Sequence, residues 1–188
     1  MALRRSHCSN KQIDEKKNRP VKYGAVVLLN TEDRFDMPKL IITVGVSASG
    51  KTTWVNSLNE IEFFNMININ KDDIRFNIIK PGGNWKTYNP KGNEVKVIQF
   101  QAALAQSAIS SGDGIIISDT NLKPRTRDFW EKFAHKNGYN FEIKEFPISL
   151  EEAIERDSKR ENSVGENAIR KQYKLWLEYL ELKESKET

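Results

Sequence analysis

Lys39-Leu-Ile-Ile-Thr-Val-Gly45-Val-Ser-Ala-Ser-Gly50-Lys51-Thr52-Thr53 decides the fold. A β-branched apolar run stops at a glycine, and after four further residues comes Gly-Lys-Thr. The stretch that follows, Thr53 to Glu60, suits a helix. This is G-x-x-x-x-G-K-[ST] with a strand before it and a helix after it, the setting in which such a loop cradles phosphates. Gly45 and Gly50 permit backbone angles and a close approach that a Cβ would block. Loop amides, those of Ser47, Ser49 and Thr53 among them, point at an anion. Lys51 reaches the β- and γ-phosphates, and the Thr52 hydroxyl suits Mg²⁺. The stretch therefore implies a bound nucleoside triphosphate; what becomes of the γ-phosphate is decided elsewhere in the chain.

Working outward, strands and helices alternate. An apolar run ends in Asn70-Lys71-Asp72-Asp73, and Ile115-Ile-Ile-Ser118 ends in Asp119-Thr-Asn121. Tyr139 to Phe146 reads as a further strand. Helices are expected over Ile74–Ile79, Val95–Ser110, Thr126–Asn137, Leu150–Lys159 and Glu166–Lys183. Their inward residues are read as Val97 or Ile98, Ala102, Ala105 and Ile109; then Phe129, Trp130 and Phe133; then Ile169, Tyr173, Trp176 and Leu180. Pro81 to Gly92 is a long loop rich in turn residues, a length that compact domains often reserve for function. The alternation predicts an α/β fold, a parallel sheet flanked by helices on both faces, with ligands at the carboxyl ends of the strands. The phosphate loop, Lys71-Asp72-Asp73 and Asp119-Thr120-Asn121 should meet there.

Composition sets the bounds. A chain of 188 residues suits one domain with a tail. Its single cysteine, Cys8, permits no intrachain disulfide and fits a reducing compartment. No apolar stretch is long enough to span a bilayer, and the N-terminus lacks an apolar signal core. The expectation is a cytoplasmic protein without a membrane partner. Residues 1 to 22 hold seven basic and two acidic residues, so they carry +5 of the net +4 and leave −1 for the remainder. Residues 1–20 read as a basic, disordered tail. Tyr23 to Leu29 reads as a strand in an extra segment, 21–38, ahead of the usual first strand. With the body balanced in charge, a polyanion must be met by a local patch or by the tail.

Phosphoryl transfer requires a cradle, a metal, cations on the moving group and a base for the acceptor. Asp72 or Asp73 is a natural base, with its neighbour, or Asn70, left to cap the following helix. Arg75 lies one helical turn on, suited to steering a carboxylate or to binding an acceptor phosphate. No carboxylate follows Asp119 to activate water, which favours transfer to an alcohol over hydrolysis. Arg156 and Arg160, four apart on a helix, suit a cationic lid, although Glu151, Glu152, Glu155 and Asp157 are close enough to pair with them.

The phosphate loop, Asn-Ile-Asn-Lys-Asp-Asp-Ile-Arg75, Ile-Ser-Asp-Thr-Asn-Leu122 and Arg-Asp-Ser-Lys-Arg160 together resemble the kinase domain of bacteriophage polynucleotide kinase–phosphatase, in the P-loop 5′-hydroxyl polynucleotide kinase family. The resemblance runs from about Leu40 to the last helix. It implies a P-loop kinase fold over 21–188 and transfer of the ATP γ-phosphate to a 5′-hydroxyl of DNA or RNA during nucleic-acid repair, in the host cytosol if phage-encoded. Lys51 and Thr52 would hold ATP and Mg²⁺, and Asp72 would be the general base. Arg75 would engage the acceptor phosphate beside Lys71, and Asp119 would orient Arg75 or the acceptor with Thr120 nearby. Arg156 and Arg160 would neutralise the donor phosphates. The family has Cys-Pro-Gly-Ser where this chain has Val46 to Ser49, arginine in place of Lys71 and serine in place of Thr52. No Asp-x-Asp-Gly-Thr motif is present, so no phosphatase activity is expected. The alternatives are a P-loop kinase for a small acceptor such as a nucleoside, and a non-catalytic nucleotide-binding module.

Overall fold

A computed structural model describes residues 37–58 and 65–187. The tail expected over 1–20, the strand expected over 23–29 and most of the extra segment lie outside the described residues. Within them the order is β1 (Lys39–Val44), α1 (Lys51–Ser57), β2 (Met66–Ile69) and α2 (Lys71–Asp73), which continues as a π-helical segment, Ile74–Ile79. Then follow α3 (Asn93–Ser111), β3 (Gly114–Ile117), α4 (Pro124–Lys136), β4 (Asn140–Glu145), α5 (Leu150–Ser158) and α6 (Glu166–Glu187).

The four strands form one parallel sheet in the order β2-β3-β1-β4. Leu40 stands between Ile115 and Phe141, and Ile115 in turn faces Ile67. Central strands of such sheets are apolar on both sides because both faces are covered. Leu40, Ile42 and Val44 join Ile69, Ile115 and Ile117 in the larger core, with Val97, Ala105 and Ala108 of α3, Trp130 and Ala134 of α4, and Ile169, Trp176 and Tyr179 of α6. Ile41 and Ile116 face the other way, onto Trp54, Val55 and Leu58 of α1 and the turn after it. The helix after β1 and the helix after β3 thus cover opposite faces. Where neighbouring strands send their chains apart in this way a crevice opens at their carboxyl ends. The expected parallel sheet with helices on both faces is what forms.

Several details differ from the sequence reading. α1 begins at Lys51 rather than Thr53 and ends at Ser57, short of the expected Glu60, because the chain is already extended at Leu58. Ile74–Ile79 is wound as a π-helix, with the Lys80 amide bonded to the Arg75 carbonyl. In α3 it is Val97, not Ile98, that enters the core, and Gln101 and Ala108 turn inward with Ala105. Ala102 and Ile109 are only partly covered because the helix straddles β2 and β3 and its buried stripe drifts by a residue. Phe129 is half exposed, against the reading that turned it inward; its ring lies over those of Trp130 and Phe133 on the outside of α4. In α6, Ile169 and Trp176 are buried, and Tyr179 supplements the predicted stripe by donating to Glu145 at the end of β4. No described helix is long and apolar enough to cross a membrane.

Asn70 ties two strand ends together. Its Nδ2 donates to the Ser118 carbonyl at 2.9 Å, and its Oδ1 accepts from the amides of Asp72 at 2.7 Å and Asp73 at 3.4 Å. Replacing Asn70 by Ala removes a cap and a buried bond and should cost about 2 kcal/mol. Urea denaturation should show the midpoint falling with an unchanged slope.

Candidate active site

Gly45 shows why the first loop turns as it does. A Cβ there would come within 2.9 Å of the Phe146 carbonyl oxygen and 2.9 Å of Ser49 Oγ. Its amide donates to the Thr120 carbonyl at 3.1 Å, which binds the end of β1 to the turn after β3. Gly50, at φ 99°, takes a left-handed angle that leads the loop into α1. Ala48 is also left-handed, at φ 63°, although it carries a Cβ. It occupies the position where the family resemblance places glycine.

Lys51 is buried beneath this loop. Its Nζ donates to the carbonyls of Val46 at 2.5 Å and Gly45 at 3.1 Å and to Ser49 Oγ at 3.3 Å. Burial, with Arg160 nearby, lowers its pKa to about 8, against the pull of Asp119 and Asp72. The hydroxyls of Thr52 and Thr53 belong to exposed residues that line the same cavity as Ser47, Ser49 and Gly50.

That cavity holds about 1180 Å³ and gathers the sequence-predicted residues. Lys71, Asp72 and Arg75 enter from the end of β2, Asp119 and Thr120 from the end of β3, and Arg156 and Arg160 from the end of α5. Of the candidates, Gly45 and Asp73 do not themselves line it. Asn70 takes the capping duty, so neither aspartate caps the helix. Asp72 is left to receive the Arg75 guanidinium, Nη1 to Oδ1 at 2.6 Å. Its pKa is raised, because burial outweighs the lowering by Arg75. Asp73 is exposed and does not line the cavity.

Asp119 was expected to orient Arg75 or the acceptor. Its bonds go elsewhere: Oδ1 accepts from the Lys71 amide at 2.9 Å, Oδ2 from Gln101 Nε2 at 2.7 Å, and Lys71 Nζ lies 3.5 Å away. Arg75 is held instead by Glu94, through Nε at 2.9 Å and Nη2 at 2.7 Å, and Tyr88 donates its hydroxyl to the same carboxylate. Glu94 escaped the sequence reading because 19 residues and a loop separate it from Arg75; its place in the first turn of α3 is the only local signal. Gln172 of α6 was missed too, and its Oε1 accepts from the Ser47 amide at 2.7 Å.

Arg156 pairs with Glu152 at 2.5 Å and Arg160 lies 3.7 Å from Asp157, two of the carboxylates foreseen as partners, while both arginines still line the cavity. Lys159 pairs with Glu155 in solvent and takes no part. Asp157 is buried and accepts from the Gly165 amide at 2.9 Å and Ser163 Oγ at 2.7 Å, which folds the link between α5 and α6 into a fixed turn. Chemically, the cavity sets a lysine and loop amides for phosphate opposite a carboxylate of raised pKa, with two arginines at the rim.

A family model described as an AAA domain matches residues 40–182. The chain belongs to this family. Within it, the chain is 33% identical over 149 residues to a protein of Autographa californica nuclear polyhedrosis virus described as a bifunctional polynucleotide kinase/RNA ligase. The match covers 74% of this chain and 21% of the viral protein. Two solved structures share the fold: a chain of the Pnkp1/Rnl/Hen1 RNA repair complex, at TM-score 0.61 and 23% identity over 81% of this chain and 48% of that one; and a chain of a second Pnkp1/Rnl/Hen1 structure, at TM-score 0.51 and 23% identity over 64% and 39%. This AAA domain therefore spans about a fifth of the curated relative and less than half of those chains. The polynucleotide-kinase resemblance drawn from the motifs is borne out by the viral relative.

Left-handed alanine costs about 1–2 kcal/mol, and glycine returns part of that through the unfolded chain. Ala48→Gly should therefore stabilise the domain by about 0.5–1 kcal/mol, read as a rise of about 1–4 °C in the thermal midpoint. A lower midpoint would mean that the Ala48 methyl is needed for packing.

Proposed function

We propose that this chain is an ATP-dependent polynucleotide 5′-hydroxyl kinase of nucleic-acid repair, carrying the γ-phosphate of ATP to the 5′-hydroxyl end of DNA or RNA. The observation that carries the reading is the placement of Asp72 in one cavity with the phosphate loop, its pKa raised by burial and one oxygen on Arg75. The names of the relatives support it, since one couples a polynucleotide kinase to an RNA ligase and the other stands in an RNA repair complex.

In this reading Gly45, Ser47, Ser49, Gly50 and Thr53 shape the loop around the phosphates, and Lys51 meets the β- and γ-phosphates. Mg²⁺ needs few protein ligands when phosphates and waters complete its shell. The exposed Thr52 hydroxyl fits that need, and among the described residues no cluster of acidic or histidine groups forms a separate metal cage. Bound there, Mg²⁺ would neutralise phosphate charge. The Asp72 carboxylate accepts the proton of the 5′-hydroxyl as that oxygen bonds to the γ-phosphorus; the bond from that phosphorus to the bridging oxygen breaks and ADP leaves. Lys51, Arg156 and Arg160 balance the charge on the moving group. Arg75, which lines the cavity, receives the acceptor's nearest phosphate, and Asp119 holds Lys71 beside it. Thr120 holds the turn. We assign residues 21–188 to the kinase domain and 1–20 to a basic tail, and place the protein in the cytosol.

The test uses γ-labelled ATP and Mg²⁺ with a 5′-hydroxyl oligonucleotide, a free nucleoside or no acceptor. Label on the oligonucleotide alone is expected, and label on the nucleoside alone sinks the reading in favour of a small-acceptor kinase. Binding of ATP without any transfer would leave a nucleotide-binding module. Asp72→Asn should lower the rate by about 10²–10⁴-fold with ATP affinity retained; full activity would remove Asp72 as the base.

Lys51 adds a pH signature. With its pKa lowered to about 8, it is largely neutral at pH 9, and triphosphate binding must restore its proton. ATP affinity should therefore fall as pH rises above about 8. Calorimetry in two buffers should register proton uptake at pH 8.5 and little at pH 6.5. Affinity that stays flat from pH 7 to 9.5 would remove Lys51 from the phosphate site.

A further inference from the structure

The loop Pro81–Gly92 is not consumed by the chemistry above, yet one of its residues lines the reaction cavity. Trp85 is half-buried there, beside Arg75, in a lining that also includes Asp72 and Ile98. Its ring is fixed in place. Phe76 packs at 5.3 Å and 87°, Tyr88 at 6.0 Å and 85°, and those two rings meet each other at 5.9 Å and 81°. The Arg75 guanidinium lies over the indole, 5.0 Å from its centre. The Trp85 amide donates to Asn162 Oδ1 at 3.2 Å, in the turn that follows Arg160. Ile98, which lines the same cavity, is 56% exposed although it sits on a core helix.

A preset aromatic surface and an exposed aliphatic group, lining one cavity with the phosphate loop and Arg75, suit a flat apolar ligand. A polynucleotide end presents a phosphate and a base side by side. Arg75 and Trp85, stacked on one another, present the matching pair of groups. Aromatic rings stack on any base, so such a surface holds the end without reading its sequence. A small polyhydroxy acceptor has no flat group for it.

We propose that Trp85, with Ile98 on the lining of the same cavity, is the stacking platform for the nucleobase at the 5′ end of the acceptor, an inference that rests on the 5′-hydroxyl kinase reading. It makes the terminal base, and not only the hydroxyl and the phosphate, part of what the site recognises.

The test compares steady-state phosphorylation of two 5′-hydroxyl oligonucleotides that differ only in whether the terminal nucleotide carries its base or is abasic. The wild-type protein should show a KM about tenfold higher for the abasic end, the scale of one base stacked on one aromatic ring, with kcat little changed. Trp85→Ala should raise KM for the base-bearing end by about the same factor and erase the difference between the two substrates. Trp85→Phe should keep most of the difference, and the exposed position of Ile98 makes Ile98→Asn a second variant that should reduce it without unfolding. Equal KM values for the two substrates in the wild type overturn the platform without any variant. An undiminished difference in Trp85→Ala overturns it as well. Failure of the wild type to phosphorylate either oligonucleotide overturns the kinase reading and the platform together.

Discussion

No side chain fits at residue 45. The backbone there passes within contact distance of Phe146 after β4, of Ser49 across its own loop and of Thr120 after β3. Three strand ends thus converge on one Cα. The consequence is geometric: a loop that leaves β1 under this constraint must wrap tightly, and its carbonyls then fold over Lys51. Phe146 extends the contact outward, since its ring lies 5.6 Å from that of Trp54 on α1. The helix after the loop is therefore anchored to the same point that shapes the loop. A bulkier residue at 45 would not simply weaken phosphate binding. It would separate the end of β1 from the turn after β3, which carries Asp119 and Thr120.

Around that point the charges are arranged in linked pairs. Arg75 is shared between Asp72 and Glu94, and Asp119 is shared between Lys71 and Gln101. A half-buried guanidinium gripped by a bidentate carboxylate is held in one orientation, since the planar fork matches the carboxylate. This leaves Asp72 oriented but not neutralised: burial raises its pKa while Arg75 draws it back. Lys51 is tuned in the opposite sense by the same burial, because desolvation disfavours whichever form is charged. The two groups that the chemistry would use thus sit nearer to neutrality than they would in water, within one cavity. The turn after α5 is held by Asp157 from below and meets the Trp85 amide through Asn162, so the arginine rim and the aromatic loop share one support.

Much of this was legible beforehand. Gly45, Gly50, Lys51 and Thr52 announce themselves because their chemistry is local: a strand, a tight turn and a helix start within fifteen residues. Asp72 and Asp119 were found by a coarser rule, that polar residues at the ends of parallel strands share one edge. Orientation was another matter. Nothing within one turn of Asp119 indicates that its carboxylate faces Lys71 and Gln101 rather than Arg75. Phe129 was misplaced, and the choice between Val97 and Ile98 stayed open, because helical spacing identifies a face but not the angle at which that face meets the sheet.

The sequence by itself determined the phosphate loop, the alternation that makes a parallel α/β sheet, and the set of residues at its carboxyl edge. These depend on neighbours in the chain or on a periodicity that survives packing. Only the tertiary structure decided that Glu94 holds Arg75, that Gln172 meets the Ser47 amide, and that Trp85 lines the cavity beneath the Arg75 guanidinium. Those pairings join residues from distant elements, brought together by how α3, α6 and the loop before α3 pack on the sheet. No spacing along the chain encodes the distance between them.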